Sequence, residues 1–286
     1  MNARRFAAQH PVLTYLVVTL AISWGSVLLI IGRSFGTTGL KAQDNPLFPM
    51  AVLAMLAGPS VTGVILTALV DGGRGLREFR CRLLEWRMDG RWYGLALLSA
   101  PLLATAVALA LTLESSEFLP TIFVADDKTA ILRVGLLVGL AAGFFEELGW
   151  TGFAVPRLRR RHGVIATGVI VGLVWSAWHI PVVIWGIGDR GGTMPLALFV
   201  TVDGLSVLPA FRVLMVWVYD RTESLFIAML MHASLSFTAL VVAPTVTGSA
   251  LLTYDLTFTV AALIVLALLV TARTADWKPA FGRRAG

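Results

Sequence analysis

Residues 130–154 read AILRVGLLVGLAAGFFEELGWTGFA, an apolar run that ends in two adjacent carboxylates, Glu146 and Glu147. At about 1.5 Å per residue, roughly 20 apolar residues cross a hydrocarbon core of about 30 Å, so the run is long enough to be a membrane span. An ionisable side chain in hydrocarbon costs at least about 2.5–3.5 kcal/mol and marks a functional site by default. Arg133 stands near a span end and can snorkel to the interface. Glu146 and Glu147 have no such simple exit.

Seven more blocks of the same kind surround this one. Together the eight cover about 12–32, 47–70, 92–113, 130–154, 163–186, 195–218, 224–243 and 250–271. The connections are too short for a separate soluble domain. The expected fold is therefore all-α: a polytopic membrane helix bundle of about eight transmembrane helices, forming a single integral membrane domain over residues 1–286. Composition agrees, with 57% hydrophobic and 14% charged residues.

The basic residues orient the bundle, because cytoplasmic loops collect Lys and Arg. With the N-terminus inside, the cytoplasmic segments hold Arg4, Arg5, the arginines from Arg74 to Arg91, those from Arg157 to Arg161, Arg221, and the basic residues from Arg273 on. The outer segments hold Arg33, Lys41, Lys128 and Arg190, and the loop with Glu114, Glu117, Asp126 and Asp127 is acidic. Both termini are expected in the cytoplasm, in a multi-pass protein of a bacterial plasma membrane. The net charge of +6 thus reports topology and attraction to anionic headgroups of the lipid bilayer, and no nucleic-acid partner is expected. The segment MNARRFAAQHP precedes an apolar stretch too long for a cleaved leader, so the first span is expected to be retained. A single cysteine, Cys81, excludes an intramolecular disulfide and a Cys/His metal cluster.

Turn signals punctuate the blocks: DGGRG at 71–75, RRRHG at 159–163 and GIGDRGGTMP at 186–195. Pro59 and Pro101 fall inside spans two and three, where a kink is the usual consequence. The stretch GLREFRCRLLEWRMDGRWYG at 75–94 spaces Leu76, Phe79, Leu83, Leu84 and Trp86 among arginines. It reads either as an interfacial amphipathic helix or as a packed loop.

Neighbouring helical residues point about 100° apart, so Glu146 and Glu147 cannot both face one point. One can act while the other orients it or pairs elsewhere; the plainer alternative is a pair of helix-end carboxylates reaching the interface. His179, in WSAWHIPV, is either functional or part of an aromatic belt. His232 opens HASLSF, with Ser236 one turn later on the same face, and small-residue helix packing is the alternative there. Two imidazoles and a carboxylate on different helices could polarise a water directly, or hold a divalent metal such as zinc through Glu146, His179 and His232.

At these residues the chain resembles the CAAX protease and bacteriocin-processing family, CPBP or Abi, of intramembrane glutamic or metallo-endopeptidases. The resemblance runs over about 143–237. The first motif, EExxxR, reads Glu146 to Thr151; the second, FxxxH, reads Trp175 to His179; the third, HxxxN or HxxxD, reads His232 to Ser236. It implies peptide-bond hydrolysis, with Glu146 and His179 activating a water, His232 and Ser236 stabilising the oxyanion, and Glu147 in support. It leaves open whether a metal takes part. The substrate it implies is a peptide or protein, prenylated in CAAX processing or bacteriocin-related. Two positions depart from the pattern. Thr151 stands where arginine is usual, and Arg212 in span six is the candidate substitute, with Asp203 as a competing partner. Ser236 stands where Asn or Asp is usual, and offers fewer hydrogen-bonding atoms. The rival readings are a degenerate member acting as a scaffold or as a peptide-binding or immunity protein, and a small-molecule transporter with the charges as a proton relay.

Overall fold

The computed structural model describes residues 3–32, 45–181 and 191–271. The helices in chain order are α1 (Ala3–Gln9), α2 (Pro11–Ile31), α3 (Phe48–Leu83), α4 (Gly90–Leu111), the short α5 (Thr121–Val124), α6 (Lys128–Glu147), α7 (Val155–Arg159), α8 (Val164–Pro181), α9 (Leu196–Leu205), α10 (Val207–Thr222), α11 (Leu225–Val241) and α12 (Gly248–Thr271). A 3₁₀ turn at Ser116–Phe118 lies between α4 and α5, and a π-helical turn at Trp150–Ala154 joins α6 to α7. No strand occurs among the described residues. The protein is an all-helical, multi-pass membrane bundle.

Among the described residues, seven helical stretches are long and apolar enough to cross a bilayer. They are Pro11–Ile31, Phe48–Leu83, Gly90–Leu111, Lys128–Arg159, Val164–Pro181, Leu196–Thr222 and Gly248–Thr271. The eighth block of the sequence is α11, which at 17 residues is shorter than the rest. The fourth span is longer than the hydropathy suggests, because the chain passes through the π turn without leaving the helix axis. The sixth is two helices broken at Ser206 (φ −94°, ψ −104°). The fifth ends at Pro181, and the rest of its expected length, to 186, lies outside the described residues together with the first part of the 186–195 turn signal.

DGGRG marks a break in α3: Gly72 (φ 63°, ψ −153°) is non-helical, and two helices meet across this kink, the second ending at Leu83, while Pro59 stays within the first. A positive φ suits glycine, which has no Cβ to clash. Beyond the break, residues 73–83 form an arm with Phe79 packed on Leu225 and Met229 at the start of α11. Exposed Leu76, Leu84 and Trp86 line its outer side. The arm is thus amphipathic and packed at once.

The site helix, α6, is held by its smallest residues. Its buried positions are Gly135, Gly139, Ala142, Gly143, Glu146 and Glu147, whereas Val134, Leu136, Leu137 and Leu140 are exposed. A Cβ on Gly139 would sit 2.6 Å from the Ala233 carbonyl oxygen, and one on Gly143 2.4 Å from that of Met229. Glycine every fourth residue lets α6 and α11 touch backbone to backbone, the contact that drives association where lipid removes the hydrophobic incentive. Gly168 and Gly172 do the same for α8 against Val213 and Pro209 of α10. Both contacts bring chemistry-bearing helices together.

Adding one methyl at Gly143 presses on backbone that cannot swing aside. Gly143→Ala is expected to cost about 1–3 kcal/mol, the usual range for overpacking, read as a lowered melting temperature in detergent. Wild-type stability would show that the α6–α11 contact is looser than described.

Candidate active site

Each of the two glutamates finds a different set of partners, and the 100° between them is the reason. Both are buried, Glu146 at 2% exposure and Glu147 at 0%, so neither reaches an interface as a helix-end carboxylate would. Glu147 turns towards α10 and α11. Arg212 Nη1 lies 2.8 and 2.9 Å from its two oxygens, and His232 Nδ1 lies 2.7 Å from Oε1. The Thr151 hydroxyl, from the π turn, donates to Oε2. Both oxygens of Glu147 are therefore occupied, and a carboxylate accepting this many donors is held rather than free to react.

Glu146 turns towards α8. The Trp175 indole Nε1–H donates to its Oε2 at 2.7 Å, and Oε1 faces His232 Nε2 at 3.8 Å. That gap is too long for a direct hydrogen bond. Of the two glutamates, Glu146 keeps an oxygen without a strong donor.

Trp175 organises both sides of the cluster. Its backbone carbonyl accepts from His179 Nδ1 at 2.9 Å. Because a carbonyl only accepts, Nδ1 carries the proton and Nε2 of His179 keeps its lone pair. The Trp175 ring stands 5.6 Å from the His179 ring and 4.9 Å from that of His232. The Arg212 guanidinium lies over the same indole, Cζ 4.0 Å from its centre. Arg212 Nε and Nη2 have no hydrogen-bond partner among the described residues, and the stacked indole covers them. The residues gather round one tryptophan instead of lining up along the bundle axis.

The depth of the helices also reconciles. Counted from a cytoplasmic end near Val155, Glu146 seems shallower than His179. With the helix continued through the π turn to Arg159, it lies about 13 residues or ~20 Å in, close to the ~22 Å of His179 from Val164. His232 comes to the same level because α11 begins inside the bundle. Ser224, fully buried, caps α11 through Ile227 N at 3.1 Å and donates its hydroxyl to the Glu85 carbonyl at 2.5 Å.

Of the two carboxylates weighed for Arg212, the structure pairs it with Glu147, which it reaches from α10 and not from position 151, where the motif has its arginine. Thr151 adds a donor to the same carboxylate. Ser236 lies one turn beyond His232, half-buried, and makes no hydrogen bond to the described residues. Trp175, expected only to stand in for phenylalanine, supplies an N–H that phenylalanine lacks. That bond is not legible from residue type, since an indole reads equally well as packing.

A metal would need its ligands gathered. Glu146, His179 and His232 are donors of a suitable type for zinc, yet no three His, Cys, Asp or Glu side chains among the described residues are arranged to hold an ion. The oxygen and nitrogen nearest to one another, on Glu146 and His232, are set for each other, and Glu147 is already filled.

The family described as type II CAAX prenyl endopeptidase, Rce1-like, matches residues 128–238, from the first residue of α6 to within α11. Over that segment, less than half of its length, the chain is similar to this family. All three motifs fall inside the matched segment. A protein named CAAX prenyl protease 2, from Methanococcus maripaludis, is 32% identical over 69 residues, 24% of this chain. The aligned stretch spans about a fifth (20%) of that relative's length.

Removing Arg212 leaves a buried carboxylate without its counter-charge. Breaking such a pair costs about 3–5 kcal/mol, so Arg212→Met is expected to be strongly destabilised in thermal or denaturant unfolding. Glu147→Gln combined with Arg212→Met should recover part of that loss in a double-mutant cycle. Strict additivity of the two changes would mean that the pair is not coupled.

Proposed function

We propose that this protein is an intramembrane endopeptidase in which Glu146 is the general base. The observation that carries the reading is the division of labour between the glutamates: Glu147 saturated by Arg212, His232 and Thr151, Glu146 held at one oxygen by Trp175 and open at the other. A water between Glu146 Oε1 and His232 Nε2, groups 3.8 Å apart, would sit within hydrogen-bonding reach of both.

In this mechanism Glu146 takes a proton as the water oxygen bonds to the scissile carbonyl carbon. His179, its Nε2 lone pair free, orients the water. The carbonyl becomes an oxyanion that His232 receives at Nε2 while its Nδ1 stays on Glu147. The Ser236 hydroxyl is a second donor within a turn. Glu146 then returns its proton to the amide nitrogen as the C–N bond breaks, leaving a carboxylate and an amine. Burial favours each step, because charges shielded from water act on one another more strongly. If a divalent metal binds, Glu146, His179 and His232 are the side chains that would hold it, and it would supply Lewis acidity to the carbonyl.

The substrate class proposed is a peptide presented at the cytoplasmic side, with a prenylated CAAX-type tail first, since that is what the names of the matching family and the Methanococcus maripaludis relative specify. The arginine-rich loops put that side next to the arm. A scaffold role rested on the departures at Thr151 and Ser236; Arg212 gives Glu147 the charge partner that Thr151 cannot, which favours catalysis.

The test is cleavage of prenylated and unprenylated peptides by protein in nanodiscs. Glu146→Gln and His179→Ala are each expected to lower kcat by about 10²–10⁴ with the fold retained in unfolding assays. Cleavage unaffected by chelators goes with the metal-free route and chelator-sensitive cleavage with the metal route. Equal silence of wild type and Glu146→Gln on every peptide would leave the scaffold as the better account.

A further inference from the structure

The π turn after the glutamates is held from outside the matched segment. Within Trp150–Ala154 the amides of Phe153 and Ala154 both donate to the Gly149 carbonyl, at 2.9 and 3.1 Å, so one extra residue is wound into the turn. Four residues beyond Gly152 is Pro156, which has no N–H to give the Gly152 carbonyl. A buried carbonyl left in this way needs a donor. Arg82, on the arm after the Gly72 break, supplies it: Nη2 donates to Gly152 O at 3.0 Å.

The same guanidinium reaches further. Arg82 Nη1 donates to the Tyr219 hydroxyl at 2.8 Å, and Tyr219 lies two turns beyond Arg212 on α10. Arg82 therefore joins the two segments that give Glu147 its donors, the π turn with Thr151 and α10 with Arg212. The next carbonyl of the turn, Phe153 O, is bound by Arg157 Nη1 at 2.9 Å, while Arg157 Nη2 pairs with Asp71 just before the break. Phe79 closes the contact, since a Cβ on Gly152 would meet its ring at 2.5 Å. Two guanidinium–carbonyl bonds thus fall on consecutive residues of the turn, one from Arg82 of the arm on the carbonyl that Pro156 leaves without its i+4 donor, the other from Arg157 of α7.

We propose that Arg82 is a positioning residue for the glutamate pair: by fixing the π turn to α10 it sets Thr151 and Arg212 on Glu147, and so sets the direction in which Glu146 faces. The proposal rests on the endopeptidase reading for its kinetic consequence, but its structural core is independent of it. Arg82 touches neither Glu146 nor the bond to be cleaved. Its loss should change the rate of the chemical step more than the binding of a peptide.

Arg82→Met keeps an unbranched apolar stem and removes both bonds. The expected result is a kcat at least tenfold lower at unchanged KM, with amide exchange over residues 150–157 accelerated at least tenfold while α4 and α12 keep wild-type protection. Arg82→Lys, which can still reach one acceptor, should recover part of both. Tyr219→Phe, in case Arg82→Met does not fold, removes one bond and should show a smaller change of the same kind, about two- to fivefold. Unchanged exchange at 150–157 in Arg82→Met overturns the proposal, as does a rise in KM alone. If wild type cleaves nothing, Glu146→Gln already reports the failure of the endopeptidase reading, and the exchange result alone decides whether Arg82 holds the turn.

Discussion

The ion pair between Glu147 and Arg212, both at 0% side-chain exposure, is the constraint around which the bundle is arranged. A carboxylate buried in this position needs a counter-charge; its guanidinium comes from α10 and the indole stacked on that guanidinium comes from α8, so α8 and α10 must run close together. Gly168 and Gly172 permit that approach. The indole of Trp175 then serves two purposes at once, covering the guanidinium and donating to the neighbouring glutamate. Take the pair away and the stacking, the His232 contact and the Thr151 contact all lose their common acceptor.

Placing the counter-charge on α10 instead of one turn beyond the glutamates changes what the π turn can be. Thr151 is small enough for the turn to pack fully, with Trp150 and Phe153 at 0% exposure against Tyr15 of α2. Gly149 comes within reach of the Pro59 carbonyl and the Tyr15 hydroxyl, where a Cβ would lie 2.2 and 2.3 Å away. An arginine at 151 would have to share that space. The transposed charge and the tight turn are thus two sides of one packing solution.

Much of this was readable before any coordinates. Length and hydropathy locate every membrane helix among the described residues, because the bilayer enforces a minimum apolar length that few other constraints imitate. Motif spacing picked out Glu146, Glu147, His179 and His232, and the cost of a buried charge singled out Arg212. What hydropathy could not read were features that leave the mean apolarity unchanged. The π turn through Thr151 is as apolar as an α-helix, and DGGRG marks the kink at Gly72 without showing that a second helix follows it. The arm's arginines look alike in a charge count, yet Arg82 is turned inwards and Arg74 outwards, with 89% of its side chain exposed. Only the three-dimensional course of α3 separates them.

The short length of α11 has a bearing on how water reaches a buried site. At about 1.5 Å per residue its 17 residues span ~25 Å, less than a hydrocarbon core of about 30 Å. Its first residue, Leu225, is fully buried and packs against Phe79 of the arm. From there to His232 is seven residues, ~10 Å. The arm therefore covers the end of α11 from which the path along the helix to His232 is shortest, and any water or peptide entering at that end has to pass it.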